Sequence, residues 1–502
     1  MKSKPNILFS LDGFLLHFCL AYYLQPHFDG NFFGLIDINS KPKKFFEEQK
    51  LVNFKKNWFL HDHIKKTLQE PDLNYLSNFE KKYKIDLWKH VINERFFYLH
   101  NRFYNFSKNE ILSILEQELK LFENILNESK PDYFLTFVPV FHHQKLLQDL
   151  CRAKGIRVLV VYFTGIRDKM ILSDDGATFE LKPNSNLNFD KNNHSINKET
   201  NVYDSLFSNF LENRNTNFIN KLIALKDYLL TSDSELIKSN FMYYGRTKFK
   251  VVKDAISLEI KRKKNFHFLQ KYAILSPNLN IPYVYFPMNV VEEYNLLHYA
   301  PFFTDQLEVI RHVAKSIPVD FTLYVKEHKG ARIRGWNSTD YYSEILQIPN
   351  VKLIHPNADN DELMKNSKIV ATLRGTSAFK SIKFGKPLIV FGDIPFQIMP
   401  SVFTVENVTL LPDLIKSALN HNVDPSEYEQ YEKIIGDRGF KCNTLEYHIK
   451  RNKAFFTGDI FSNVPIYEKD MVQFLDDNKN MLSELVKAHL KIISLETDIP
   501  LK

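Results

Sequence analysis

Three short segments in the second half of the chain gather residue types that handle anions. Lys326-Glu327-His328-Lys329-Gly330-Ala331-Arg332 sets two lysines, a histidine and an arginine within seven residues. Arg374-Gly375-Thr376-Ser377 joins a guanidinium fork to a glycine, which lets a ligand approach the backbone closely, and to two hydroxyls of the kind that open a helix. A helix starting there would offer the free N–H groups of its first turn to a phosphate. Pro287-Met288-Asn289 leads through Glu292 and Glu293 to Asp305-Gln306, where the carboxylate of Glu293 could hold ribose or sugar hydroxyls. In the first half, Asp12 is the best-placed carboxylate for taking a proton, with His142 and His143 next in order. Each feature also has a plainer explanation: a solvated loop in a lysine-rich chain, a helix cap, or a turn that Asp12 makes with Gly13.

These segments gain meaning from the elements that must position them. From residue 282 onward, short apolar runs at 283–287, 318–325, 351–354, 369–373 and 387–391 alternate with helical patterns at 304–316, 341–346, 361–366 and 377–384. Five strands joined by helices predict a doubly wound parallel sheet, whose ligand crevice lies beyond the carboxyl ends of the strands. All three segments directly follow predicted strands. In the first half, a strand at 6–11, the Asp12-Gly13 turn and a helix at 14–24 make one unit. A helix at 108–129, a strand at 133–138, a helix at 144–154 capped by Gly155 and a strand at 157–163 make another.

The expected architecture is α/β, with two Rossmann-like domains, large helical insertions and a C-terminal helical tail. The first domain spans 1–268, with insertions at about 40–130 and 176–268, and the second spans 269–426. Residues 427–502 form a tail packing across both. The Asn-rich stretch 182–201 is too polar to pack and is expected to be a loop.

Composition narrows the classes. Of 502 residues, 44% are hydrophobic, and 43 Phe and 24 Tyr supply ample surface for globular cores, which excludes disorder throughout. Cys19, Cys151 and Cys442 lie far apart, so neither a disulfide scaffold nor a Cys-rich zinc pattern fits, and a cytoplasmic location is expected. The apolar stretch 7–24 follows Lys2 and Lys4 but is broken by Asp12, Gly13 and His17, so it reads as an internal strand and helix rather than a signal peptide. A net charge of +7 is too small to argue for a nucleic-acid partner. The basic run Lys261-Arg262-Lys263-Lys264 reads first as a solvated helix face and second as a contact with anionic lipid. Asp359-Asn360-Asp361 has the Asp-x-Asp spacing of some metal-dependent transferases, but Asp361 opens a helix and capping explains it. No Walker loop, Gly-x-Gly-x-x-Gly or Ser-His-Asp order occurs.

The order of motifs resembles the capsule polysaccharide biosynthesis family, which includes Kdo transferases and looks related to the two-domain GT-B glycosyltransferases. The carrying phrases are Tyr-Phe-Pro at 285–287, Asp305-Gln306, Val-Lys-Glu-His at 325–328, Ile-Pro-Asn-Val-Lys-Leu-Ile at 348–354, Thr-Leu-Arg-Gly-Thr-Ser at 372–377 and Phe-Gly-Lys-Pro at 384–387. The resemblance implies a metal-independent transferase in which the loop of His328 binds the nucleotide of a CMP-activated sugar and Thr376 and Ser377 grip phosphate. Two departures stand out: Lys329 where the family usually has proline, and Phe379-Lys380-Ser381 where an acidic residue is usual.

The expected function is therefore transfer of a sugar from a nucleotide-activated donor, CMP-linked for preference, to a surface or capsular polysaccharide. The partners are the nucleotide sugar, a glycan or lipid-linked acceptor and a peripheral membrane contact, with no cofactor and no metal. Asp12 and His328 are the expected catalytic residues. Lys326, His328, Arg332, Arg374, Gly375, Thr376, Ser377 and Glu293 are expected to hold the donor. The rivals are a nucleotide-sugar epimerase or hydrolase on the same scaffold, and a non-catalytic assembly component, which the departures at Lys329 and Phe379 suggest.

Overall fold

The computed structural model describes residues 4–39, 41–67, 69–166, 168–176, 226, 230, 238–290, 292–456 and 465–497. The Asn-rich stretch and most of the 176–268 insertion lie outside the described residues. Two compact units emerge. Among the described residues, one comprises those up to Gly176, those from 226 to Lys250 and those from Arg438 on, and the other those within Val251–Asp437.

The first unit is built on β1 (Asn6–Asp12), β2 (Asn31–Asp37), β3 (Phe54–Phe59), β4 (Tyr133–Phe137), β5 (Arg157–Phe163), β6 (Lys169–Ser173) and β13 (Phe440–Lys441), in the order β13-β6-β5-β4-β1-β2-β3. β1 to β5 run parallel, while β6 and β13 are antiparallel. The connecting helices include α1 (Leu16–Leu24), α2 (Lys41–Glu48), α3 (Leu60–His63), α4 (Leu73–Tyr83), α5 (Leu87–Ile92), α6 (Lys108–Ser129) and α7 (His142–Ala153). The inner residues of β1 and β5 are buried throughout, as parallel strands covered on both faces should be. α6 starts at a Ser107–Glu110 capping box, and α7 ends where Gly155 takes a positive φ of 74°.

Two expectations need correction here. The stretch 40–130 is not wholly helical, because β3 pairs with β2 inside it. Phe54-Lys-Lys-Asn-Trp-Phe59 is an edge strand whose lysines stay in water, and that hides the apolar pattern. The segment from Arg438 onward is part of the first unit rather than a separate tail. Phe440, Tyr447, Phe455, Met471, Phe474, Leu482 and Leu485 are buried in the same core as β1 and α1, and β13 extends the first sheet. Residues 427–437 belong to the second unit, and the first boundary falls at 250/251 rather than 268/269.

The second unit is a parallel sheet of β7 (Tyr283–Pro287), β8 (Thr322–Lys326), β9 (Val351–Ile354), β10 (Ile369–Thr372), β11 (Leu388–Val390) and β12 (Val402–Thr404), in the order β12-β11-β10-β7-β8-β9. The sixth strand, β12, is too short and too mixed to stand out in sequence. Counted from β7, the order is 3-2-1-4-5-6, so the winding direction reverses between β7 and β10. Val284, Phe286, Leu323, Val325, Leu353, Ile369 and Ile389 form the core with the helices Gln306–Ser316 and Leu411–Asn420. Both units are thus Rossmann-like, as expected.

Candidate functional site

In the second unit, chemistry is expected at the carboxyl edge next to the β7/β10 reversal. The loop after β7 is fixed by Gln306, a buried residue whose Nε2 donates to the Asn289 carbonyl at 2.7 Å while its Oε1 accepts from the Asn289 N–H at 2.8 Å. The Asn289 side chain is thereby held beside β10, where Thr372 Oγ1 donates to its Oδ1 at 3.1 Å. Gly375 follows so closely that a Cβ there would lie 2.9 Å from Thr372 Oγ1. On the other side, a Cβ on Gly330 would meet His328 Nδ1 at 2.9 Å and Val290 Cγ2 at 3.4 Å. The loops after β10 and β8 therefore both lie against the loop after β7.

Lys326 ends β8 and is 3% exposed. Among the described residues no carboxylate reaches ion-pair distance of its ammonium. Burial, helped by Lys329, pulls its pKa down to about 8. Glu327 is fully buried and holds the loop in place. It accepts from Tyr342 OH at 2.6 Å, from Asn337 Nδ2 at 2.8 Å and from the His328 N–H at 2.6 Å. His328 caps the turn Lys329–Arg334, its Nδ1 accepting from the Gly330 N–H at 3.0 Å. That bond places the ring proton on Nε2. Burial and the neighbouring Lys326 lower the His328 pKa to about 4, so near neutrality the ring is an uncharged Nε2–H donor. His355, buried just past β9, is also lowered by burial and by Lys326.

The remaining expected donor residues divide. Arg374 is buried and already engaged: its Nε donates to the Asp393 carbonyl, and its guanidinium lies over the Tyr299 ring at 4.3 Å. It braces the loop after β11 instead of offering a free fork. The helix expected from residue 377 is a 3-10 turn, Thr376–Phe379, followed by one α-turn, Lys380–Lys383. So short an element has no appreciable macrodipole to offer a phosphate. The side chains of Thr376 and Ser377 lie outside the described part. Phe379 fills the core between Phe396 and Tyr428, at centroid distances of 4.5 and 5.0 Å, which explains why no carboxylate stands there. Arg332 and Glu293 are exposed, the latter at the start of the helix Tyr294–Tyr299. Asp359, rather than Asp361, caps the helix Asn360–Asn366, and Asp361 pairs with Lys380 at 3.4 Å.

The first unit gathers acid–base groups at the corresponding edge of its own sheet. Asp12 and Asp37 end β1 and β2 in register. Asp12 Oδ1 accepts from the Phe14 N–H at 3.0 Å. Withdrawal from water and then the Asp37 charge raise its pKa to about 6, against the lesser pull of Arg451. Asp37 moves the other way. Burial works against its charge, but His143 and His61, at 2.8 and 2.9 Å, more than offset that and keep it ionised. Two adjacent carboxylates are thus driven to opposite proton affinities. The helix Thr444–Phe455 supports the Asp12 turn: Arg451 Nη1 donates to the Gly13 carbonyl at 3.0 Å and Tyr447 OH to the Phe14 carbonyl at 3.1 Å. His142 turns away into the interior, held by Glu94 and Glu118 at 3.0 Å each. Asp37, His61 and Arg451 were not found from sequence, since β2 and the position of the C-terminal segment had to be known first.

Residues 234–400 match the family described as capsule polysaccharide biosynthesis protein. No curated protein is similar enough to match. Among solved structures, the KpsC β-Kdo 2,7 transferase of Thermosulfurimonas dismutans is similar at 12% identity, with 79% of this chain and 98% of that one covered and a TM-score of 0.30. The UDP-GlcNAc 2-epimerase of Methanocaldococcus jannaschii is similar at 15%, covering 86% and 99%, with a TM-score of 0.23. The Neisseria meningitidis UDP-GlcNAc 2-epimerase bound to UDP-GlcNAc is similar at 13%, covering 86% and 98%, with a TM-score of 0.22. The assignment does not rest on these distant likenesses. It rests on the matched segment, which contains β7 to β11 and every donor-side residue discussed above: over residues 234–400 the chain is similar to the capsule polysaccharide biosynthesis family.

Proposed function

We propose that the chain transfers a sugar from a nucleotide-activated donor, CMP-linked for preference, to a growing surface polysaccharide. The observation that carries this reading is Lys326, a buried ammonium without an anionic partner among the described residues, at the carboxyl edge of a 3-2-1-4-5-6 sheet. A buried cation is costly until an anion meets it, and a phosphate supplies one. In this reading Lys326 neutralises the departing phosphate, the His328 Nε2–H donates to it, and Asn289 and Gly375 line the approach. Glu327 is a positioning residue that keeps the loop taut, and Glu293 is available to ribose or sugar hydroxyls. Asp12, with a pKa of about 6, is ionised at neutral pH yet basic enough to take the acceptor's hydroxyl proton. Titrating the full chain calorimetrically with CMP, UDP and GDP tests the reading. Saturable binding of one nucleotide is expected, CMP first. Absence of heat from all three, in protein shown to be folded, removes it.

The peripheral membrane contact belongs to the same proposal. Among the described residues no helix is long and apolar enough to cross a membrane. The helix Lys248–Tyr272 nevertheless exposes Ile256 and Ile260, at 58% and 63%, with Lys253, Lys261, Lys263 and Lys264 around them. Arg262 is excluded from this face, being bonded to Glu259 and to the Arg332 carbonyl. Spacings of three and four keep Lys253, Ile256, Ile260 and Lys263 on one side of the helix, where each lysine near an anionic surface adds about 1 kcal/mol. The chain is expected to sediment with phosphatidylglycerol vesicles and not with phosphatidylcholine vesicles. Ile256→Glu with Ile260→Glu should release it, and unchanged sedimentation of that double variant would rule the face out.

A further inference from the structure

A second cluster, buried in the first unit, meets the transfer reading only through His143, which pairs with Asp37. Glu118 lies on the apolar side of α6, among Leu115, Leu119 and Phe122, and is fully buried. His142 and His143 open α7 and are 0% and 2% exposed. One donor atom from each of the three lies within 4.8 Å of the other two. The two imidazole rings stand 5.3 Å apart and nearly perpendicular, at 84°. His142 Nδ1 faces Glu94 at 3.0 Å, which leaves Nε2 toward Glu118, and His143 Nε2 faces Asp37 at 2.8 Å, which leaves Nδ1. His142 sits between two carboxylates, Glu94 and Glu118, each at 3.0 Å. That arrangement strands polar atoms: Glu118 Oε1 and His143 Nδ1 are buried with no hydrogen-bond partner among the described residues. Such orphans are ordinarily costly and call for an explanation.

We infer that Glu118, His142 Nε2 and His143 Nδ1 bind a divalent transition-metal ion, with zinc best suited to the donor set. Two imidazoles and a carboxylate are donors that zinc takes, leaving a fourth position for water. Both histidines already carry what metal-bound imidazoles need on the far nitrogen, a carboxylate that fixes the tautomer: Glu94 for His142 and Asp37 for His143. The exchange balances, since the incoming dication displaces the proton held between His142 and Glu118 and that proton leaves to solvent. The ion bridges three buried side chains. It ties α6 to the start of α7 and, through Asp37, to the end of β2. The site stands independently of the transfer reading and sits beside the expectation that transfer itself uses no metal.

Elemental analysis of the full chain, produced without a histidine tag and dialysed, tests this. About one zinc per chain is expected, falling to below about a tenth in Glu118→Gln and in His143→Asn. Glu94→Gln is expected to retain the site with affinity weakened about 10- to 100-fold. Cobalt added to chelator-treated protein should give visible d–d absorption, and phenanthroline should lower the melting temperature of the wild type but not of Glu118→Gln. Should a variant fail to fold, the wild-type measurement decides. A wild-type chain holding no zinc as isolated and taking up neither zinc nor cobalt would overturn the inference. So would zinc retained in full by the folded Glu118 and His143 variants.

Discussion

Lys326→Met is expected to abolish nucleotide binding and, in the same molecule, to stabilise the second unit. The two effects share one cause. Lys326 is 3% exposed and its pKa is lowered from 10.5 to about 8, so the folded protein carries a penalty on the order of 3 kcal/mol for keeping the ammonium charged. The unfolded chain holds that proton more tightly. The penalty is therefore fully present below pH 8 and fades as pH rises toward 10.5. Methionine is close to lysine in length, needs no counter-charge and adapts to irregular space. The variant should thus melt above the wild type at pH 7, with the difference shrinking by pH 9.5. Losing one partner of a buried charge–phosphate pair costs about 2–5 kcal/mol, so binding of CMP should weaken more than about 30-fold. Nucleotide titration and thermal melting at the two pH values check both halves. A variant that binds nucleotide as the wild type does would show that the anion is held elsewhere.

Asp12→Asn is expected to reduce turnover by about 10²- to 10⁴-fold with little change in donor affinity, the pattern of a lost general base. Asparagine can still accept from the Phe14 N–H, so the turn that Arg451 and Tyr447 brace should survive. The wild-type pH profile supplies an independent check. Asp12 must be ionised to accept a proton, so the acid limb should fall near pH 6, where burial and Asp37 place its titration. Lys326 must be charged to meet phosphate, so the basic limb should fall near pH 8. His328, at about 4, titrates below the working range and should shape neither limb. Release of nucleotide from whichever donor binds, followed from pH 5 to 9, gives the profile. Turnover in Asp12→Asn within a factor of a few of the wild type would remove Asp12 from the chemistry.

How much could be read in advance followed from how each element earns its place. β1, β5, β7 and β10 are interior strands whose middle residues are buried on both faces, and they were legible because such burial leaves a nearly continuous hydrophobic string. Two edge strands escaped notice for the converse reason: β3 keeps its lysines in water, and β12 has three residues. Lys326, His328 and Asp12 could be proposed because each follows a legible strand directly. Arg374 follows one too, yet its length lets it fold back to Asp393 and Tyr299, and local sequence does not encode that direction. The helix after Gly375 shrank to a 3-10 turn because Phe379 is drawn into the aromatic cluster of Phe396, Tyr428 and Tyr431, a tertiary contact overriding local pattern. Asp37, His61, His143 and Arg451 come from four separated segments, and only the strand order brings them to one edge.

The return of residues 438–502 to the first unit bears on how the polypeptide is made. Residues 251–437 form the second unit, so a ribosome delivers every residue of that sheet before it delivers Tyr447 and Arg451. The first sheet has β1 to β6 ahead of that unit and receives β13, its last strand, after it. The later-encoded unit is therefore the first whose strands are all present on the nascent chain, and the Asp12 turn gains its braces only once that unit has been made.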